Sequence, residues 1–159
     1  MAVVTQSELI LQRSEWKRNG KRVVCAIGVF DLLHPGHVRL LEQARAAGDI
    51  LVVGVQSDAY AREEKGPNRP VTPAAERAEI LDALAAVDFV VVLNNEPADA
   101  FITRLAPDAL AQGRAAGASK HAASEISAAQ AAGVRVIQIP PEPGHSTSRL
   151  IERIKQLRA

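Results

Sequence analysis

Cysteine, aromatic residues, long apolar runs and net charge are what this chain has least of. One residue in 159 is cysteine, Cys25. A single thiol excludes an internal disulfide and a thiolate metal cluster, and it fits a reducing compartment. Aromatic residues make up 3%, too few for a row of base-stacking platforms. Lys plus Arg number 19 against 18 Asp plus Glu, so no basic field argues for nucleic acid or an anionic membrane. The longest apolar runs, Ile50 to Val55 and Phe89 to Leu93, fall far short of the roughly 20 residues that cross a bilayer. Residues 1–21 are mixed polar and lack the apolar centre of a secretory leader. The expectation is a soluble, cytoplasmic protein with no nucleic-acid partner and no membrane partner.

What is present is a regular alternation of strand and helix patterns. With 47% apolar and 23% charged residues, the length suits one domain with a sizeable core. Residues 1–21 read as an N-terminal polar arm with one short helix through Leu9 to Trp16, and residues 22–159 as the domain. Unbroken apolar runs mark strands at Arg22 to Ile27, Asp49 to Val55, Asp88 to Leu93, Ala109 to Ala111 and Val134 to Ile139. Helices are expected over Pro35 to Ala47, over Ala74 to Ala86 with Ile80, Leu81 and Leu84 inward, and over Pro97 to Leu105. Two more follow at Ala122 to Ala132 and at Ser146 to Leu157, the last with Leu150, Ile151, Ile154 and Leu157 in register. Ser57 to Pro73, charged and rich in proline and glycine, reads as a loop, as does Gln112 to His121. The pattern gives a single Rossmann-like α/β domain, three layers (α/β/α) around a parallel five-stranded sheet.

The most informative segment is Gly28-Val29-Phe30-Asp31-Leu32-Leu33-His34-Pro35-Gly36-His37. It puts two imidazoles three residues apart where a strand hands over to a helix. The first N–H groups of a helix lack internal partners and carry the positive end of its dipole, so the place attracts anions, phosphate above all. Histidines there can donate to the same phosphate oxygens. Taken alone, the pair reads equally as chemistry and as ordinary surface or core histidine. Zinc is disfavoured, because no third ligand sits nearby and the spacing is not i, i+4; no protein metal site is expected. No Gly-x-Gly-x-x-Gly follows the first strand and no Gly-x-x-x-x-Gly-Lys-Ser/Thr occurs, which disfavours dinucleotide and P-loop sites.

Gly28 to His37 resembles the signature of the nucleotidyltransferase superfamily, and Phe-Asp-Leu-Leu-His before Gly-His is similar to its cytidylyltransferase-like branch. Gly48-Asp49, Gly54-Val55, Ser57-Asp58, Lys65-Gly66, Arg69-Pro70-Val71, Glu76-Arg77, Val87-Asp88, Pro107-Asp108, Gly113 and Gly144-His145-Ser146-Thr147-Ser148 extend the likeness over residues 20–157. Within the branch the chain looks most like the nucleotidyltransferase part of ADP-heptose synthases. The resemblance implies transfer of a nucleotidyl group from an NTP, ATP or CTP, to a small sugar phosphate, with Mg2+ on the triphosphate and a homodimeric assembly. It implies His34, His37 and Lys65 as catalytic residues. Nucleotide contacts would come from Gly28, Val29, Phe30, His34, Gly36, His37, Gly113, Ser146, Thr147 and Ser148, and acceptor phosphate contacts from Lys65, Arg69, Arg77 and Arg114.

Several of these residues carry a second reading. Lys65, on a flexible loop, would swing over the triphosphate, or is a solvated lysine. Arg69 is a phosphate clamp or a loop charge, Arg77 an acceptor contact or a structural ion pair. Ser146 to Ser148 open a helix, where a hydroxyl also serves as N-cap. Asp31 would orient the turn, orient the histidines or meet Mg2+. The chain departs from the heptose-type pattern at Gln112-Gly113-Arg114-Ala115-Ala116, where those relatives usually carry Lys-Gly-Gly-Asp-Tyr, and at Ala26-Ile27, where Thr-Asn is usual. These changes leave open a CTP-dependent transfer to glycerol 3-phosphate or another small phosphate or phosphonate. They also leave open a nucleotide-binding module without turnover.

Overall fold

The unbroken apolar runs become strands of one parallel sheet in the computed structural model, which describes residues 2–94, 96–113 and 121–157. In chain order the strands are β1 (Ala2–Val3), β2 (Val23–Gly28), β3 (Ile50–Gln56), β4 (Phe89–Leu93), β5 (Ala109–Gly113) and β6 (Arg135–Ile139). Across the sheet they run β1-β4-β3-β2-β5-β6. The expected five strands are all there; the sixth, β1, pairs Ala2 with Phe89 and Val3 with Val90 at the sheet's edge. Two residues carry no periodicity, so no pattern announces them.

Helices α1 (Gln6–Arg18), α2 (Pro35–Ala46), α3 (Asp58–Lys65), α4 (Ala74–Asp82), α5 (Ala98–Leu105), α6 (Ala122–Ala131) and α7 (Thr147–Gln156) connect the strands. Alternate strand residues feed two cores. Val24, Ala26, Leu51 and Val53 pack with Leu41 and Ala44 of α2 and Ala78 and Leu81 of α4. Val23, Cys25, Val52 and Val91 pack on the other face with Leu9 of α1, Phe101 and Ile102 of α5 and Ala129 of α6. Burial on both faces is why these strands read as continuous apolar runs.

The N-terminal residues are tied to that body. Thr5 and Glu8 form a reciprocal capping box at the start of α1. Leu9 is fully buried, and α1 runs longer at both ends than the Leu9 to Trp16 helix expected.

Two corrections concern α3 and α4. Residues 58–65 form a helix where a loop was expected, capped by the Ser57 hydroxyl, which accepts from the Tyr60 amide at 3.1 Å. In α4 the buried positions are Arg77, Ala78 and Leu81, while Ile80 is 48% exposed. The residue that displaces it inward is the arginine. Arg77 is 1% exposed. Its guanidinium donates to the carbonyls of Thr72, Val29 and Gln56 and to Asp58 Oδ1, the last at 2.7 Å. Val29 follows β2 and Gln56 ends β3, so one buried cation locks two strand ends to the start of α3. Arg77→Met would take the guanidinium donor from three carbonyls and the ion pair from Asp58, and is expected to cost about 3 kcal/mol or more of stability. Urea unfolding checks this; a loss below about 1 kcal/mol would remove Arg77 from the framework.

Candidate active site

β2 stands between β3 and β5, so the chain leaves it toward one edge and later returns on its other side. Ligands of open α/β sheets bind beyond the strand ends at such a reversal. There the turn after β2, α3, the end of β5, α6 and the start of α7 line a cavity of about 590 Å³.

The turn is strained. Phe30 and Leu32 hold φ of 52° and 48°, left-handed values that cost non-glycine residues of order 1–3 kcal/mol each. What the strain sets up is the position of His34, the N-cap of α2, followed by Pro35 in the first turn. His34 Nδ1 accepts from the Gly36 amide at 3.1 Å, and His37 Nδ1 accepts from the His34 amide at 3.4 Å. The two rings stack at 3.9 Å, with Phe30 edge-on to His37 at 5.6 Å. A Cβ on Gly36 would stand 2.9 Å from the His34 ring, so glycine is what lets the ring lie over the helix start.

These bonds decide the protonation chemistry. A ring whose Nδ1 accepts an N–H carries its single proton on Nε2 when neutral, and Nε2–H is a donor. Burial, reinforced by the charge of His34, pushes the His37 pKa down to about 4 although Asp31 pulls the other way. Burial, then His145, lowers that of His34. Both rings are therefore neutral donors at pH 7, fixed in one tautomer, at the positive end of α2.

Asp31 is buried and fully engaged. Its Oδ2 accepts from Arg69 Nε at 2.7 Å and the Val71 amide at 2.9 Å, its Oδ1 from the Thr72 amide at 3.1 Å. Burial raises its pKa, but the Val71, Arg69 and Thr72 bonds outweigh that and hold it below the ordinary carboxylate value. Asp31 thus orients the turn. Among the described residues no group of three or more His, Cys, Asp or Glu is arranged to hold a metal ion.

The cavity gathers Gly28, Val29, Phe30, His34, Gly36, His37, Lys65, Arg69, Gly113, Ser146, Thr147 and Ser148. Lys65 is the last residue of α3 rather than part of a flexible loop; Gly66 closes the helix with φ 104°. Arg69 lines the cavity and, beyond the phosphate clamp or loop charge expected of it, is the ion-pair partner of the buried Asp31. Arg77 is not brought to the cavity, because its donors are spent on the fold. Arg114 lies outside the described residues. At α7, Ser146 is the N-cap, accepting from the Arg149 amide at 3.1 Å. Thr147 donates its hydroxyl to the Asp31 carbonyl at 2.7 Å, so that proton is not free for a phosphate. The Thr147 and Ser148 amides, first in the helix, have no intrahelical partner.

Sequence reasoning missed other cavity residues: Tyr60 and Glu64 on α3, Gln112 on β5, Glu125 on α6, and Glu142 and His145 before α7. Glu142 pairs with Arg39 of α2, and His145 stacks over His34 at 6.3 Å. A signal existed for His145, the residue directly before the Ser-Thr-Ser cap; acids on polar helices carry none.

Residues 25–153 match the family model described as Cytidylyltransferase-like. The bifunctional protein HldE of Koribacter versatilis (strain Ellin345) is 44% identical over 95% of this chain and 31% of its own length. That of Rhodopseudomonas palustris (strain HaA2) is 42% identical over 96% of this chain and 31% of its own. The chain thus spans about a third of the length of these relatives. A solved structure, the lipopolysaccharide core biosynthesis protein from Thermoplasma volcanium GSS1, superposes with a TM-score of 0.63. It is 27% identical, over 77% of this chain and 98% of that one.

The His37 environment has a measurable consequence. The ring protonates near 6.5 in an unfolded chain and resists protonation until about 4 in the folded one. Below pH 6.5 the unfolded state binds the extra proton, so the His37 contribution to stability falls as pH drops from 6.5 toward 4. In a ¹H–¹⁵N titration the His37 ring is expected to show an Nε2–H tautomer and a midpoint about 4; a midpoint above 6 would refute the assignment.

Proposed function

The chain belongs to the cytidylyltransferase-like family of nucleotidyltransferases, and on that premise we propose that it transfers an adenylyl group from ATP to D-glycero-D-manno-heptose 1-phosphate. The observation that carries this reading is the single cavity into which the neutral histidine pair, the starts of α2 and α7, Lys65 and Arg69 all open. The adenylyl donor and heptose acceptor are supported by the likeness to bifunctional HldE proteins and to the lipopolysaccharide core biosynthesis protein.

In this reading an oxygen of the acceptor phosphate attacks the α-phosphorus of ATP in line. The bond to the α–β bridging oxygen breaks, pyrophosphate leaves, and ADP-heptose forms. A phosphate monoester is largely ionised at neutral pH, since its second pKa is about 6, so the protein supplies no general base. Its part is to hold two anions together and to neutralise charge spreading over the α and β oxygens. His34 and His37 donate to those oxygens through Nε2–H; Lys65 and the Thr147 and Ser148 amides complete the cradle. Gly28, Val29, Phe30 and Gly113 bound the nucleotide side. Mg2+ is proposed to arrive on the triphosphate, held by phosphate oxygens, because Asp31 is already saturated with donors.

No helix among the described residues is long and apolar enough to cross a membrane, and a cytoplasmic site of action, where ATP is abundant, is part of the proposal. So is a homodimer, supported by the uncovered apolar residues Ile154 and Leu157 on α7; light scattering would show twice the 17.0 kDa chain mass.

His34→Ala and His37→Ala are each expected to lower pyrophosphate release at saturating ATP and heptose 1-phosphate by on the order of a hundredfold or more. Near-normal turnover in either would sink the mechanism. The wild-type chain, offered all four NTPs against heptose 1-phosphate and glycerol 3-phosphate, is expected to prefer ATP with the heptose. Preference for CTP with glycerol 3-phosphate would move it to the other branch, and nucleotide binding without release would make it a binding module.

A further inference from the structure

The side of the cavity away from the histidines is built from acids, and nothing in the phosphate chemistry above uses them. Glu64 is on α3, directly before Lys65; its side chain is 5% exposed and it lines the cavity. Its Oε1 has no hydrogen-bond partner, although His121 Nε2 stands 3.4 Å away. Glu125 of α6 is buried and lines the same cavity, accepting from Gln112 Nε2 at 3.0 Å. Burial raises the pKa of Glu125 against the Gln112 bond and the charge of His121, and the charges of Asp99 and Glu64 add to the rise.

A buried carboxylate oxygen with no hydrogen bond and only the His121 ion pair beside it is costly, and a ligand that brings donors relieves that cost. The donors are not a phosphate, which two carboxylates repel. A quaternary ammonium would call for an aromatic cage, and this wall offers one aromatic ring, that of Tyr60. Neutral hydroxyls fit: each donates one hydrogen bond, and carboxylates lining one cavity accept from several hydroxyls of one polyol. Lys65 follows Glu64 at the end of α3 and lines the same cavity, so a sugar whose phosphate lies between Lys65 and the histidines brings its hydroxyls to this wall.

Resting on the nucleotidyl-transfer reading, we propose that Glu64 and Glu125, with Gln112, form the hydroxyl-binding wall of the acceptor site, selecting a phosphate ester of a polyhydroxylated sugar. The wall gives this chain a selectivity that the phosphate cradle alone does not.

The test uses Glu64→Gln and Glu125→Gln, both near-isosteric, with folding checked by thermal melting. With ATP as donor, each is expected to raise the KM for heptose 1-phosphate about tenfold or more while leaving the KM for ATP unchanged. The wild-type preference for heptose 1-phosphate over ethyl phosphate, which has no hydroxyl, is expected to shrink to the same extent. An unchanged acceptor KM overturns the proposal. So does a rise confined to the KM for ATP, which would assign the wall to the ribose, or a wild-type preference for phosphoethanolamine. Calorimetric binding of heptose 1-phosphate without nucleotide separates this proposal from the reaction itself. Binding weakened about tenfold in Glu64→Gln supports the wall even if no pyrophosphate is released; equal or absent binding in the wild type and variant overturns it.

Discussion

The carboxylate of Asp31 is the joint on which the site depends. It sits in the middle of a strained turn, and every strong bond it makes reaches a different part of the chain. Its oxygens hold the segment from Arg69 to Thr72, forty residues away, and its own carbonyl receives the Thr147 hydroxyl at the start of α7. Taking a carboxylate out of water costs several kcal/mol unless charged or amide donors replace the water. Here three do, one of them a guanidinium. The left-handed Phe30 and Leu32 are affordable only because the turn they shape is pinned from outside at Asp31.

From that joint the polarity of the site follows. Arg69 is neutralised by Asp31 on one side and still faces the cavity; Arg77, one turn into α4, is wholly consumed by the framework. Arg39 and Glu142 cancel each other across the α2–α7 gap. The donors left for substrate are mostly neutral: two imidazole Nε2–H groups and the first amides of two helices, with Lys65 as a charge at the end of α3. Neutral fixed donors suit a reaction in which negative charge moves along a triphosphate. They stabilise charge wherever it develops and do not trap the pyrophosphate that leaves.

How far the sequence discloses this depends on the kind of residue. The central strands are legible because burial on both faces leaves only apolar side chains, as in Leu51-Val52-Val53. The histidine turn is legible because its residue types are rare and its place, after a strand and before a helix, is chemically special. Helix α3 is not: Asp58 to Lys65 buries one alanine, Ala61, so there is no apolar stripe to read. Arg77 and Ile80 mislead as a pair. Apolar phase puts the isoleucine inside, whereas three carbonyls and an aspartate at the strand ends select the arginine instead. Glu64 and Glu125 look like solvated charges on polar helices, and only the fold reveals that the two helices face each other over a cavity.

Helix α7 shows how binding and order are connected. It opens with two amides that lack intrahelical partners, yet none of its residues is buried, and its C-cap Leu157 is 80% exposed. Its packing therefore contributes little, and its position relies on polar ties: Thr147 to the Asp31 carbonyl, Glu142 to Arg39, His145 over His34. Elements held this way sit at the low-stability end of a fold. A triphosphate bridging the starts of α2 and α7 would add bonds to both helices at once and would bind only the arrangement in which both are in place. By mass action, nucleotide binding then stabilises α7 against the body of the domain. The same helix carries the exposed Ile154 and ends at the exposed Leu157, so ordering its start also fixes that apolar surface.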